Sequence, residues 1–352
     1  MHILYIINGL TLGGAETIVV NTLNYLKKSN PTLQLSLLTT FTNENHLIHK
    51  LDPAINYKHI NCNRKSFFTG MLHVRKYIKD NNVSHIHTHL YNSIILGRIV
   101  KNRNTLLFET FHNLEYQKDS VYYSWWRIIV DKLTFNRGSF SIYVSKEVAK
   151  SVQRIRKNYS KFIILNNFAG LNFNYNYQFK SNKSLNLIAV GNLKYDKNFQ
   201  YALTSFNLLK EYPISLDIYG EGFLRNEIEN FIDVNKIKVR LMGRIQMEID
   251  VLSQYDAFLM TSENEGMPIS LLEAISVGLP SVLPCHLPVM KELARNSARY
   301  FSINDSNELS KVLVEILENK EMLSNMSFEA SRQSKLFNID THVSKLLEVY
   351  SK

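Results

Sequence analysis

Twice along this chain of 352 residues, short apolar runs alternate with longer stretches of helical period, and that doubled alternation is its strongest constraint. A strand followed by a helix and then a strand of the same direction builds a parallel sheet covered on both faces. In the first block, His2–Ile7 reads as a buried strand, Gly9–Gly14 as a loop with glycines, and Ala15–Lys28 as a helix. Ile18, Val19, Thr22, Leu23 and Leu26 form that helix's inward stripe. Leu33–Thr39, Ser84–His89, Thr105–Phe111, Phe140–Val144 and Ser160–Leu165 read as further strands. A polar, Asn- and Tyr-rich stretch without period, Asn172–Ser184, reads as a linker. The alternation then restarts with strands at Leu185–Val190, Ile214–Tyr219, Val239–Met242, Ala257–Thr261 and Ser281–Leu283. Helices at Phe199–Tyr212, Leu224–Asn235, Met247–Gln254 and Leu271–Val277 separate them. The expectation is an α/β chain of two doubly wound domains, 1–170 and 185–338, joined through 171–184.

Composition adds exclusions. Apolar residues make up 45% and charged residues 20% of the chain, which excludes wholesale disorder. Cys62 and Cys285 stand far apart without a C-x-x-C partner, so free thiols in a reducing, cytoplasmic compartment are expected. The apolar start is short, with no basic leader or small-residue cleavage site, and reads as a first strand. No run of about 18 apolar residues predicts a transmembrane helix. Net charge is +10 but uneven: residues 1–180 carry 23 Lys and Arg against 9 Asp and Glu. So basic a front half fits an anionic partner, and it lacks any recognisable nucleic-acid module.

The stretch richest in chemistry runs from Ser262 to Ala274. Gly266 and Pro268 end an apolar strand, and a helix begins near Pro268–Ser270. Its first N–H groups and its positive dipole end would point past the strand's carboxyl end, a ready place for an anion. Glu265 precedes the helix and Glu273 lies two turns into it, too far along the chain to share a proton.

This segment resembles the signature of the retaining family 4 glycosyltransferases: Glu265, Glu273, Ala274, then Gly278-Leu279-Pro280. The resemblance implies that Glu265 meets donor-sugar hydroxyls and that Glu273 holds the nucleotide ribose. It implies that backbone N–H groups from Gly266 and Met267 through Pro268, Ile269, Ser270 and Leu271 meet sugar and phosphate. Gly191-Asn192-Leu193-Lys194-Tyr195-Asp196-Lys197 resembles the family's Gly-Arg-Leu-x-x-x-Lys, which gives Lys197 the donor diphosphate. Asn192 stands where the family has arginine, with Lys194 or Arg244 as candidates to compensate. Gly220-Glu221-Gly222 looks like the family's Gly-x-Gly turn, and Met242-Gly243-Arg244-Ile245 resembles the loop beside the nucleotide base. Near the start, Gly13 and Gly14 in Leu12–Glu16 open a helix and would let backbone approach the diphosphate or acceptor.

His85, His87 and His89 share one face of a strand. No carboxylate or cysteine completes a metal site there, and the resemblance puts His89 near the reacting sugar, with His112 a second candidate. Tyr116–Arg137 mixes Tyr122, Tyr123, Trp125, Trp126 and Phe135 with Lys118, Arg127, Lys132 and Arg137, which suits a membrane interface or an ordinary packed helix.

Taken whole, the resemblance implies GT-B architecture, two facing Rossmann-like domains across a cleft, with 339–352 crossing back to the first. It implies transfer of a sugar from a nucleotide-diphosphate sugar, UDP favoured over GDP, to a hydroxyl of a glycan or lipid-linked acceptor in surface polysaccharide synthesis. Glu265, His89 and Lys197 are the catalytic candidates. A carboxylate nucleophile, usual for retention in glycosidases, has no obvious candidate. The resemblance favours a front-face route in which the leaving diphosphate takes the acceptor's proton. No Asp-x-Asp stands at a strand end, so neither a metal nor another cofactor is expected. The protein is expected to be cytoplasmic and peripheral at the inner membrane face. A nucleotide-sugar epimerase and a non-catalytic sugar-nucleotide-binding subunit are the alternatives.

Overall fold

The computed structural model describes residues 1–117, 123–135, 138–156, 161–169, 183–245, 248–305 and 307–352. The expected linker over 171–184 lies outside them apart from 183 and 184, as do Lys118, Tyr122, Arg137, Ser160 and Met247. The chain forms two compact units, Met1–Gly170 with Ile339–Lys352, and Leu171–Asn338.

The first unit holds seven parallel strands: β1 His2–Ile7, β2 Gln34–Thr39, β3 Asn56–His59, β4 His85–His89, β5 Leu106–Phe111, β6 Phe140–Tyr143 and β7 Lys161–Ile164. Their order is β3-β2-β1-β4-β5-β6-β7, so the direction of winding reverses between β1 and β4. Helices α1 Gly14–Ser29, α2 Phe67–Asp80, α3 Tyr91–Val100, α4 Trp125–Thr134 and α5 Lys146–Arg156 form the crossovers. One face of the sheet packs α2 and α3 through Val74, Tyr77, Ile78, Leu96 and Val100. The other packs α1 and the last helix of the chain, Ile339–Tyr350, through Val19, Leu23, Val343, Leu346, Val349 and Tyr350. Each such burial contributes roughly 1.5–3 kcal/mol, which holds the chain's end on this unit.

The second unit holds six parallel strands: β8 Leu185–Val190, β9 Ile214–Tyr219, β10 Val239–Gly243, β11 Ala257–Leu259, β12 Ser281–Pro284 and β13 Ala298–Phe301. Their order is β10-β9-β8-β11-β12-β13, with the reversal between β8 and β11. Its helices are α6 Phe199–Asn207, α7 Arg225–Asn235, α8 Ile249–Leu252, α9 Ile269–Ser276, α10 Pro288–Ala294, α11 Glu308–Glu318 and α12 Glu321–Ser334; the chain's last helix is α13. The two doubly wound parallel sheets match the expected fold class. Two strands escape the sequence reading. β3 (NYKH) and β13 (ARYF) are four-residue edge strands, too short and too polar to show a buried run.

A buried ionic cluster pins α4. Arg98 of α3 grips Glu109 of β5 with Nε–Oε1 at 2.6 Å and Nη2–Oε2 at 3.0 Å, and reaches Asp131 of α4 at 2.9 Å. Arg156 meets the same Asp131 at 2.8 Å and Glu109 at 3.2 Å. Its guanidinium lies over the rings of Phe111 and Phe135 at 4.7 and 4.8 Å. Two cations and two anions thus balance in the interior. Burial pushes the Asp131 carboxyl upward, but hydrogen bonds from Arg156 and the charge of Arg98 outweigh it and hold the group below the usual range. Removing one anion leaves a guanidinium uncompensated, so Asp131→Ala is expected to cost about 3–5 kcal/mol in denaturant unfolding. A loss near zero would contradict this account of the cluster.

Candidate active site

The reversal between β8 and β11 sends their outgoing connections to opposite sides of the second sheet, which opens a crevice at the strands' carboxyl ends. After β8, the chain runs through Gly191 into a 3-10 turn at Tyr195–Lys197, ended by Asn198 at φ 48°. A left-handed residue suits asparagine better than most, and it closes the turn with the Lys197 stem lying over Gly191. After β11, Thr261 and Ser262 lead to Glu265.

Contacts through Lys197, Thr261 and Glu263 join these two loops, and Ser262 braces Glu265 within its own. Lys197 Nζ meets Glu265 Oε1 at 2.5 Å. Ser262 Oγ donates to the same carboxylate oxygen at 2.9 Å. Thr261 Oγ1 donates to the Lys197 carbonyl at 2.9 Å, and the Glu263 N–H to the Asp196 carbonyl at 3.0 Å. Lys197 and Glu265 are both partly buried. An ammonium and a carboxylate, set far apart in sequence, therefore sit as one ion pair at the switch point.

Helix α9 follows at once. Pro268 caps it in extended conformation without a side-chain hydrogen bond, and the N–H groups of a first helical turn have no acceptor within the helix. Met267 and Leu271 point into the core, while Ile269 and Ser270 are half-buried, so this end can offer a ligand backbone more than side chain. Glu273 is half-buried two turns along. The helix ends in a Schellman motif: Leu279 N–H bonds the Ala274 carbonyl at 2.9 Å and Gly278 N–H the Ile275 carbonyl at 3.0 Å. Gly278 has φ +72°, and a side chain there would meet Ser331 Oγ at 3.0 Å. The Ala274…Gly278-Leu279 part of the signature is thus a helix stop that fixes α9 against α12.

The neighbouring loops pack closely. A Cβ on Gly220 would lie 1.8 Å from the Gly191 carbonyl oxygen, and one on Gly222 2.3 Å from that of Leu193. The Gly-x-Gly turn therefore lets the β9 exit lie on the β8 exit. From beyond β10, Arg244 Nη2 reaches Asn192 Oδ1 at 3.4 Å. An arginine from the adjacent loop thus stands beside the position where the family has one, while Lys194 is exposed.

In the first unit, the glycine loop has a local explanation. A Cβ on Gly13 would lie 2.3 Å from Glu16 Oε2. The Glu16 side chain folds back into that space at the start of α1, with Thr11 Oγ1 donating to it at 2.8 Å. Burial raises the Glu16 pKa, against its own backbone N–H and Thr11, which lower it. The Glu16 carboxylate occupies the space beside Gly13 that a side chain would need. Gly14 is exposed at the helix's first position.

His89 lies inside the first unit. It is 4% exposed, stacked on Tyr5 and on His112, with His89 Nδ1 and His112 Nε2 sharing a hydrogen bond at 3.0 Å. His87, on the same face of β4, bonds Tyr350 Oη at 2.5 Å and Thr110 Oγ1 at 2.7 Å, and Tyr350 bonds Tyr5 at 2.6 Å. His342 of α13 completes the lining of a cavity of about 10 Å³. His89 Nε2 and Thr22 Oγ1, both on that wall, have no hydrogen-bond partner among the described residues. The next residue, Leu90, has φ 69°, a sparsely populated region for a bulky side chain. Strain therefore sits at the carboxyl end of β4, beside the reversal in the first sheet.

Lys197, Glu265, Gly266 and the start of α9 come together in the second unit, and Asn192 with Arg244 stands among the adjacent loops. Gly13, Gly14 and His89 belong to the first unit. Thr261 and Ser262, which hold Lys197 and Glu265 in place, escape the sequence reading. Small hydroxyls just past a strand end are the signal that marks them.

A family model described as "Glycosyl transferases group 1" matches residues 173–333, and one described as "Glycosyltransferase Family 4" matches 12–168. The chain is 27% identical over 146 residues to the O-antigen biosynthesis glycosyltransferase WclY of Escherichia coli, covering 41% of this chain and 40% of that one. It is 30% identical over 172 residues to an E. coli UDP-Gal:alpha-D-GlcNAc-diphosphoundecaprenol alpha-1,3-galactosyltransferase, covering 46% and 44%. These matches span less than half the length of either curated relative. In fold, Anabaena HepE, solved in complex with UDP, superposes with a TM-score of 0.83 at 14% identity over 100% of both chains.

The histidine chamber makes a pH prediction. Burial, with the charges of neighbouring histidines, holds His87 and His89 well below their usual value of 6.5. Burial lowers His112 to about 3 and His342 to about 4. Above pH 6.5 these groups are neutral folded or unfolded and contribute no slope. As pH falls below 6.5 the unfolded chain takes up protons that the fold refuses, so stability drops, by at most about 1.4 kcal/mol per pH unit per histidine. Urea unfolding at about pH 7 and about pH 5 should show this loss, and His112→Gln should reduce the slope. An unchanged slope would contradict neutral burial of His112.

Proposed function

This chain belongs to the group 1 and family 4 glycosyltransferases, and we propose that it moves a sugar from a nucleotide-diphosphate sugar to a hydroxyl of a glycan or lipid-linked acceptor, with retention. The observation that carries this reading is the Lys197–Glu265 pair at the switch point beside the start of α9. A diphosphate needs a cation and oriented N–H donors, and a sugar needs a carboxylate for its hydroxyls. Lys197, Glu265 and α9 supply all three within one unit.

In this reading the diphosphate takes Lys197 away from Glu265, and the freed carboxylate turns to the donor sugar. Glu273 meets the ribose, and Asn192 with Arg244 adds a second cationic contact to the phosphates. As the anomeric bond breaks, charge grows on the leaving phosphate oxygen. Lys197 and the α9 end are already in place to receive it, which is electrostatic preorganisation. That oxygen then accepts the acceptor's proton on the same face of the sugar, so retention needs no protein nucleophile. UDP as the donor nucleotide is supported by the UDP complex of HepE and by the UDP-galactose donor in the E. coli relative's name. A polysaccharide acceptor on a lipid carrier draws on the O-antigen and diphosphoundecaprenol relatives. The surplus of positive charge in residues 1–180 agrees with a pyrophosphate-bearing acceptor.

A panel of nucleotide sugars scored by thermal stabilisation should single out a UDP-sugar. With it, Lys197→Ala should lower kcat/KM by about 10²- to 10³-fold. Product NMR should show the donor's anomeric configuration, and EDTA should leave the rate unchanged. Full activity in Lys197→Ala would refute the site; inversion or loss of activity with EDTA would refute the route.

A further inference from the structure

Helix α4 is amphipathic in the wrong sense for a helix whose only neighbours are its own domain. Its inward position is Asp131, fully buried and held by Arg98 and Arg156. Its outward arc carries Trp125, Trp126, Ile129 and Leu133, exposed by 54, 60, 37 and 81%. At 100° per residue these four fall within about 100° of one another, a continuous apolar stripe. The two tryptophan rings stack on each other at 3.8 Å between centroids, and both residues stay more than half exposed. Tyr123 adds another exposed ring beside the helix start.

Helix α3 packs against both α4 and α2. The outward side of α2 carries Phe68, 77% exposed, and Leu72, together with exposed Arg75, Lys76 and Lys79. Exposed Arg64 and Lys65 precede α2, and exposed Lys132 flanks the α4 stripe. The one acid on that side of α2 is Asp80, at its last turn. Both outward faces thus carry large apolar side chains, two of them the tryptophans of α4, beside an excess of cations.

We propose that the outward faces of α4 and α2 seat this protein on a bilayer bearing anionic head groups. Tryptophan favours the boundary between head groups and acyl chains, where its ring is buried and its N–H stays hydrated. Ile129 and Leu133 insert beside it, and the flanking lysines and arginines meet the anionic lipids. A protein partner of ordinary interface chemistry would not call for so many lysines, which such interfaces disfavour at their centre. The cluster around Asp131 gives the helix a rigid seat, so the apolar arc is presented outward whether or not lipid is there. This surface belongs to the first unit and the Lys197–Glu265 pair to the second, and its failure would leave the transfer reading standing.

The chain has two tryptophans, and both lie on this stripe, so intrinsic tryptophan fluorescence reports on α4 alone. The full chain should be titrated with vesicles of phosphatidylcholine and of phosphatidylcholine with phosphatidylglycerol, with sedimentation in parallel. The expected result is a blue shift and co-sedimentation with the anionic vesicles, weakened by high salt. Ile129→Ser with Leu133→Ser keeps both tryptophans and should lower vesicle affinity about tenfold or more, with circular dichroism unchanged. Lys76→Glu with Lys79→Glu should abolish the preference for anionic vesicles. A blue shift that follows protein concentration without lipid would assign the face to a second copy and overturn the proposal. Absence of any shift with either vesicle, equal binding to both, or full binding by the serine variant would also overturn it.

Discussion

Between β8 and β11 the strand order of the second sheet reverses, and the connections leaving these two neighbours diverge to opposite faces. The two loops that leave these strands carry the site at their carboxyl ends. One loop brings Lys197, the other Glu265, and the contact at 2.5 Å between them is the outcome of that topology. The tethers from Thr261 and Ser262 reduce the freedom of both groups before any ligand arrives. The start of α9 comes next in the chain after Glu265, so a short backbone path links the carboxylate to the helix end, and the ion pair brings the cation to both. A site so placed depends on strand order first and on the individual side chains second.

A second theme is that the charges proposed for ligand binding have internal partners. Lys197 is paired with Glu265, and the start of α1 holds the Glu16 carboxylate in the space beside Gly13. In the proposed reading, an anionic ligand at Lys197 would exchange one carboxylate for another anion instead of entering a bare positive pocket. This lowers the cost of keeping a half-buried ammonium in the unliganded protein. The same exchange would free Glu265 at the moment when, in that reading, a sugar needs a hydrogen-bond acceptor.

Much of the fold was legible in the sequence because buried parallel strands are near-continuous apolar runs, as HILYII and LNLIAV are. β3 and β13 were not legible, since edge strands of four residues bury too little to leave a pattern. At the site, Glu265, Glu273 and Lys197 were named from spacing and resemblance, but their mutual geometry was not. A pair separated by 68 positions is brought together by tertiary packing that no local period encodes. Thr261 and Ser262 gain no role from the sequence, because nothing local names the partner of a hydroxyl at a strand end. At Gly13 the sequence shows a Gly-Gly turn but not the Glu16 carboxylate that folds back beside it. The alternating histidines of β4 were visible as one face, yet their burial against α13 depends on a helix more than 250 positions away, as the His87–Tyr350 bond shows.

The central claim is that Lys197 exchanges Glu265 for a diphosphate at the start of α9. A crystal structure of the protein with UDP or its donor sugar tests it most directly. The account predicts diphosphate oxygens within hydrogen-bond distance of Lys197 Nζ and of first-turn N–H groups of α9, with the Glu265 carboxylate turned from the lysine. A nucleotide bound elsewhere, with the Lys197–Glu265 contact intact, would contradict it.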